Sequence, residues 1–174
     1  MINIRKAEIE DIERIAEIYE RIHDETETGR LTTGWKRGVY PTRETAEAAL
    51  LRGDIFVLEE DGRVAGSAIL NHFSDECYKE GNWKIEASDE QVMVMHTLTI
   101  DPECSRRGLG KSFVEFYEKY AIENGCISLR MDTQAINTIG RRMYAGLGFF
   151  EAGIVPCDFN GIPDVRLVLL EKKC

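Results

Sequence analysis

The segment Ser105-Arg-Arg-Gly-Leu-Gly-Lys-Ser112 is where residue types and spacing first suggest chemistry. It follows an apolar run, Thr97-Leu-Thr-Ile100, and the stop Asp101-Pro102, and it precedes a helix-forming stretch. The first amides of a helix lack intrahelical acceptors, and the helix dipole favours negative charge at that end. Gly108 and Gly110 carry no Cβ, so an anion can approach the backbone. Arg106, Arg107 and Lys111 add positive charge to a chain with 22 basic and 31 acidic residues and a net charge of −9. That local reversal of sign points to an anionic ligand; the plainer alternative is a solvated basic helix start. Two phosphate-binding patterns fail at a required glycine. The nucleotide P-loop would need glycine where Ser105 stands, and the dinucleotide fingerprint would need it where Phe113 stands.

The elements that must hold this turn can be read from periodicity. Ile2 and Ile4 open a short strand, and Ile9, Ile12, Ile15, Ala16, Tyr19 and Ile22 share one helix face. Thr42 suits an N-cap for a second helix that ends near Gly53. Two strands, Asp54–Glu59 and Arg63–Leu70, meet at Asp61-Gly62, a hairpin signal. A long polar segment, Ser74–Glu90, precedes the strand Gln91–Ile100. A helix is predicted from about Gly108 to Asn124, then a strand at Cys126–Met131, a short helix from Asn137 to Gly146, and two closing strands. The order β-α-α-β-β-β-α-β-α-β-β predicts a mixed sheet with helices packed on it, in one α/β or α+β domain spanning residues 1–174.

Composition narrows the function. A chain of 174 residues, 43% apolar and 30% charged, is globular, and no run approaches the roughly 18 apolar residues of a membrane span. The mixed, charged N-terminus lacks the core of a secretory signal, so a cytoplasmic location is expected, with no membrane partner. Net acidity argues against bulk nucleic-acid binding. The five cysteines are scattered and support neither a disulfide framework nor a metal site.

With strand, proline turn and helix in place, Ser105-Arg-Arg-Gly108-Leu-Gly110 resembles the signature Q/R-x-x-G-x-G/A of the GCN5-related N-acetyltransferase (GNAT) family. Ser105 replaces the leading Gln or Arg. A second block, Asn137-Thr-Ile-Gly-Arg-Arg-Met-Tyr144-Ala-Gly-Leu-Gly148-Phe149, is similar to the family's Asn, Tyr and Gly-Phe spacing. The resemblance implies a central, mostly antiparallel mixed sheet of six to seven strands flanked by about four helices. It implies acetyl transfer from acetyl-CoA to an amine without a metal. It also implies a bulged strand on which Leu98, Thr99 and Ile100 face the pantetheine arm. Ser105, Arg106, Arg107, Gly108, Leu109, Gly110, Lys111 and Ser112 would surround the pyrophosphate. Asn137 would contact the pantetheine or pyrophosphate portion, or simply cap its helix. Tyr144 would protonate the departing thiolate, its alternative being a packing aromatic.

The reaction makes further demands. An alkyl ammonium with a pKa near ~10 is neutral in about one molecule in a thousand at pH 7, so a base is needed. His96 is the candidate; strand alternation puts it on the face of Val94 and Leu98. A structural sheet histidine is the alternative, and Glu25, Glu27 or Glu90 acting through water are rivals. Trp35, Tyr40 and Glu27 are candidates for the acceptor side, joined by Tyr78 and Trp83 in the Ser74–Glu90 segment. The expected acceptor is a primary amine on a small or amino-acid-like molecule. Acetylation of protein N-termini or lysines, and a non-catalytic CoA-binding domain, are the alternatives. A homodimer is left open.

Overall fold

A computed structural model describes residues 1–174. Alternation and helical periodicity resolve into seven strands and four α-helices in the expected order. The strands are β1 (Ile2–Lys6), β2 (Ile55–Glu60), β3 (Arg63–Asn71), β4 (Val92–Ile100), β5 (Ser128–Gln134), β6 (Phe150–Phe159) and β7 (Ile162–Lys173). The helices are α1 (Ile12–Glu27), α2 (Arg43–Arg52), α3 (Leu109–Glu123) and α4 (Thr138–Gly146). The strands form one sheet in the order β1-β2-β3-β4-β5-β7-β6. Every pairing is antiparallel except β4 with β5, which is parallel. No helix is long and apolar enough to cross a membrane.

Local signals account for the ends of these elements. Thr42 caps α2, its amide donating to Thr45 Oγ1 at 3.0 Å, and left-handed Gly53 ends the helix. Asp61 and Gly62 both take positive φ, as a tight two-residue hairpin requires; Asn160 and Gly161 do the same between β6 and β7.

The sheet is covered on both faces. On one face α3 and α4 bury Phe113, Tyr117 and Tyr144 against Met93, Met95, Leu129 and Val168. On the other, α1 and α2 cover β2 and β3 through Ile15, Ile18 and Ala49. The far half of that second face, β6 and β7, is covered by Cys77 and Tyr78 of the polar segment. Glu171, wholly buried, ties that segment down. It accepts from the amide of Lys84 at 2.7 Å, from Ser128 Oγ at 3.0 Å and from Arg130 Nε at 3.2 Å. Arg130 in turn lies over the Trp83 ring at 4.3 Å. The loop that composition leaves unassigned is therefore an ordered cover.

The site is opened by an irregularity in the middle of the sheet. In β4, Ser67 of β3 faces Thr99 but Ile69 faces His96, so two residues, Thr97 and Leu98, stand opposite Ala68. Thr97 takes φ +52°, rare for a β-branched residue. Beyond this bulge β4 leaves β5: their pairing runs only from Val92–Ser128 to Met95–Met131. The β5-facing edge of β4 from Thr97 to Ile100 has no strand partner, and a cleft opens there.

Candidate active site

The cleft, about 470 Å³, lies between the diverging ends of β4 and β5 and is closed by α3, α4 and the segment between α1 and α2. The bulge decides which side chains face which way. Met93 and Met95, then Leu98 and Ile100, pack toward α3 and α4. Val92 and Val94 pack on the opposite side, and Thr99 turns away from α3 to meet Ser67, hydroxyl to hydroxyl at 2.9 Å. His96 therefore shares a face with Val94 but not with Leu98. The strict period of two fails because one extra residue is inserted at Thr97.

The turn before α3 has the geometry its sequence suggests. Arg106 (φ +64°) and Gly108 (φ +79°) are left-handed, and Gly108 caps the helix. Ser105 N–H donates to Pro102 O at 3.2 Å, and Ser112 N–H to Gly108 O at 3.0 Å. Between them the amides of residues 106–111 donate to no carbonyl of the chain. Six consecutive unpaired N–H groups at a helix N-terminus fit an anion such as a diphosphate. The side chains contribute less than expected. Arg107 pairs with Glu60 at 2.8 Å, Lys111 with Glu115 at 3.6 Å, and Leu109 is buried in the core. Ser105 and Ser112 do not reach the cleft wall, whereas Leu98, Thr99, Ile100, Gly110 and Asn137 do. A Cβ at Gly110 would stand 3.3 Å from Met143 Sδ, a tight contact that a small shift of the methionine would relieve. Asn137 spends its side chain on the local fold: Oδ1 caps α4 at Gly140 N–H (3.1 Å) and Nδ2 donates to Thr133 Oγ1 (2.9 Å).

Tyr144 projects from α4 into the cleft, with its ring edge-on to Phe149 at 6.0 Å. Burial, reinforced by the charge of Asp132, raises its phenol pKa, so it stays protonated and can donate. His96 does line the cleft, but its Nε2 lies 2.9 Å from Asn71 Oδ1. Burial brings its imidazole down to about 4, leaving a weak base.

Asp132 on β5 was not singled out in the sequence. It lines the cleft, and its Oδ2 accepts from Tyr78 Oη at 2.6 Å. Burial lifts its carboxyl to about 7, the Tyr78 hydrogen bond opposing and the charge of Asp75 assisting. A carboxylate titrating near neutrality is suited to taking a proton at physiological pH. The available signal was alternation in Ser-Leu-Arg-Met-Asp-Thr-Gln, which puts Asp132 opposite Met131 and Thr133. Its burial, however, depends on Tyr78, 54 residues away.

On the acceptor side, Trp35 and Tyr40 line the cleft and meet edge to face at 6.0 Å. Tyr40 Oη bonds Thr97 Oγ1, and Gln134 Nε2 donates to Gly34 O at 3.2 Å, strapping this segment across the end of β5. Glu27 does not reach the cleft. Arg37 gathers Glu20, Asp24 and Glu27 on the outer surface of α1, and Arg30 takes Glu25. Glu90 likewise lies outside the cleft wall. Trp83 packs on Tyr78 behind Asp132 rather than lining the cleft.

Comparison with known proteins agrees with this fold. Over 107 residues the chain is 28% identical to a streptothricin acetyltransferase from Escherichia coli; the match covers 62% of this chain and 58% of that protein. It is 26% identical to an aminoglycoside N(6')-acetyltransferase type 1 from Klebsiella aerogenes, over 71% of this chain and 80% of that protein. A GNAT-family acetyltransferase structure from Streptococcus agalactiae superposes with a TM-score of 0.79 at 26% identity, covering 99% of this chain and 95% of that one. Residues 12–149, well over half of the sequence, match the acetyltransferase (GNAT) family; the chain belongs to that family of acetyl-CoA-dependent enzymes.

Proposed function

We propose that this protein transfers an acetyl group from acetyl-CoA to a primary amine of a small molecule by direct attack on the thioester. The observation that carries the reading is the cleft itself. A row of unpaired amides at residues 106–111 leads to it, and Asp132 and Tyr144 line it together. Bound at that row, acetyl-CoA supplies the activated acyl group.

The chain's own residues divide the remaining work. The amides of residues 106–111 hold the diphosphate, and the unpaired edge of β4 from Thr97 to Ile100 offers backbone groups to the pantetheine arm. Asp132 takes the proton that the acceptor ammonium must lose. Tyr78 holds that carboxylate in place at 2.6 Å. Tyr144, kept protonated by burial, gives its proton to the thiolate as it departs. His96 orders Asn71 and the start of the following loop, since Asn71 Oδ1 also accepts the Phe73 amide at 2.9 Å.

A small acceptor is favoured over a peptide by the strap. Gly34 bound to Gln134 and Tyr40 bound to Thr97 close the acceptor side, where a peptide would need an open groove. The test is thiol release with an amine panel, in the native protein and in Asp132→Asn. Asparagine keeps the shape and removes the base, so kcat at neutral pH should fall by about 100-fold or more while acetyl-CoA binding holds. Undiminished turnover in this variant overturns the assignment of the base. Failure of acetyl-CoA to bind the native protein overturns the whole reading.

A further inference from the structure

The charges that line the cleft are all of one sign. Asp75 and Asp132 are its only formally charged side chains, and no lysine or arginine reaches the wall. An acceptor bearing a carboxylate would find no counter-charge and would face two carboxylates. Proteins that recognise carboxylates generally place an arginine or lysine to meet them. The wall also carries four aromatic rings, Trp35, Tyr40, Phe73 and Phe159, surfaces that accept alkyl chains and ammonium groups alike.

A second groove, of about 480 Å³, continues from the first. The two share Phe73, Ser74 and Asp75 as a common wall, and the second adds Glu76 and Asp89. Its cationic residues are already engaged: Lys79 with Glu76 at 2.6 Å, and Arg130 with Glu171 at 3.2 Å. Asp75 stands at the junction of the grooves. Its Oδ1 caps the Cys77 amide at 3.2 Å, and the side chain is exposed.

We infer that the acceptor is an oligoamine with at least two ammonium groups and no carboxylate, and that Asp75 selects it by pairing with an ammonium that is not acetylated. The inference rests on the acetyl-transfer reading above and narrows its acceptor. Asp132 meets the amine that reacts. The chain of the acceptor runs over Phe73 to Asp75, and a longer acceptor continues into the second groove.

The experiment compares a series of α,ω-diamines of increasing length with n-alkylamines of matched length, and with lysine and ornithine, by thiol release. It uses the native chain and Asp75→Asn; asparagine still caps Cys77 and lacks only the charge. At the best length the diamine should exceed the matched monoamine in kcat/KM by about two- to fivefold, the value of one exposed ion pair. The diamino acids should fall below the diamine of the same chain length. Asp75→Asn should bring the diamine-to-monoamine ratio of kcat/KM to about one, compared above the Asp132 titration, where the lost Asp75 charge no longer alters the ionisation of Asp132. Parity between monoamine and diamine, preference for a diamino acid, or an advantage that survives in Asp75→Asn overturns the inference while acetyl transfer stands. If no amine releases thiol, the acetyl-transfer reading falls and takes this one with it.

Discussion

Tyr78→Phe removes a single hydroxyl beneath the cleft, and its effect on the pH dependence can be worked out in advance. Burial lifts the Asp132 carboxyl to about 7, and the Tyr78 donor at 2.6 Å holds it lower than burial alone would. A hydrogen bond to a charged acceptor contributes about 1.5–3 kcal/mol. At about 1.4 kcal/mol per pH unit, its loss should raise the carboxyl by about one to two units. The sign follows from the role: a base acts when deprotonated, so activity rises with pH through the carboxyl's titration. In the variant that ascending limb should move upward. At pH 7 the native carboxyl is about half ionised and the variant's about a tenth to a hundredth, a loss of about 5- to 50-fold that vanishes in alkali. The assay is kcat/KM for the amine at saturating acetyl-CoA across the neutral and alkaline range. The acceptor's own ammonium titrates near ~10 and contributes equally to both proteins. A limb that stays in place, or a loss that persists at every pH, refutes the link between Tyr78, Asp132 and proton removal.

The remaining predictions use other parts of the site. Tyr144→Phe should lower kcat by about 100-fold or more while acetyl-CoA affinity stays within about a factor of two, measured by turnover and calorimetry. His96→Gln should leave the ascending limb in place, because an imidazole held near 4 is not the group titrating there; a limb that vanishes with the histidine restores it as the base. Gly34→Ala puts a Cβ 1.9 Å from Gln134 Oε1 at a φ of +75°, adding backbone strain of about 1 kcal/mol. KM for the acceptor should rise severalfold with the acetyl-CoA Kd unchanged. Asp132→Asn should raise the melting temperature at neutral pH. Folding lifts this carboxyl from 3.8 to about 7, so the folded state carries a cost that is absent below about pH 4. The cost grows as pH rises and is complete above pH 7, where it reaches roughly 2–4 kcal/mol. The stability gain should therefore be large at pH 8 and disappear at pH 4, as thermal melts across that range would show.

Sequence legibility followed the range of the interactions involved. Asp61-Gly62, Thr42, Gly53 and the Gly108 turn act within a few residues, so their signals are local and the structure uses them as read. The element order and the mixed sheet also follow from periodicity alone. The bulge does not, because nothing in Met-His-Thr-Leu announces that Thr97 takes φ +52°. Without it His96 reads as a neighbour of Leu98, whereas the bulge puts the two on opposite faces. Asp132, the base we propose, escapes a reading of the sequence for a related reason: its carboxyl is enclosed by Tyr78, whose loop is fastened by Glu171 from the far end of the chain. Glu27 stands outside the cleft, where Arg37, ten residues on, folds back over α1 to meet it.

The extra residue at Thr97 makes β4 two devices in series. Before it, His96 lines the cleft beside Asn71; after it, Leu98 and Ile100 turn to α3 and α4, the side on which we propose the acyl donor lies. On that proposal a change at His96 should alter amine choice more than the grip on coenzyme A, and a change at Leu98 or Ile100 the reverse. Deleting one residue at the kink would restore strict alternation and turn one half of the strand over, so both sides of the cleft would be disturbed at once.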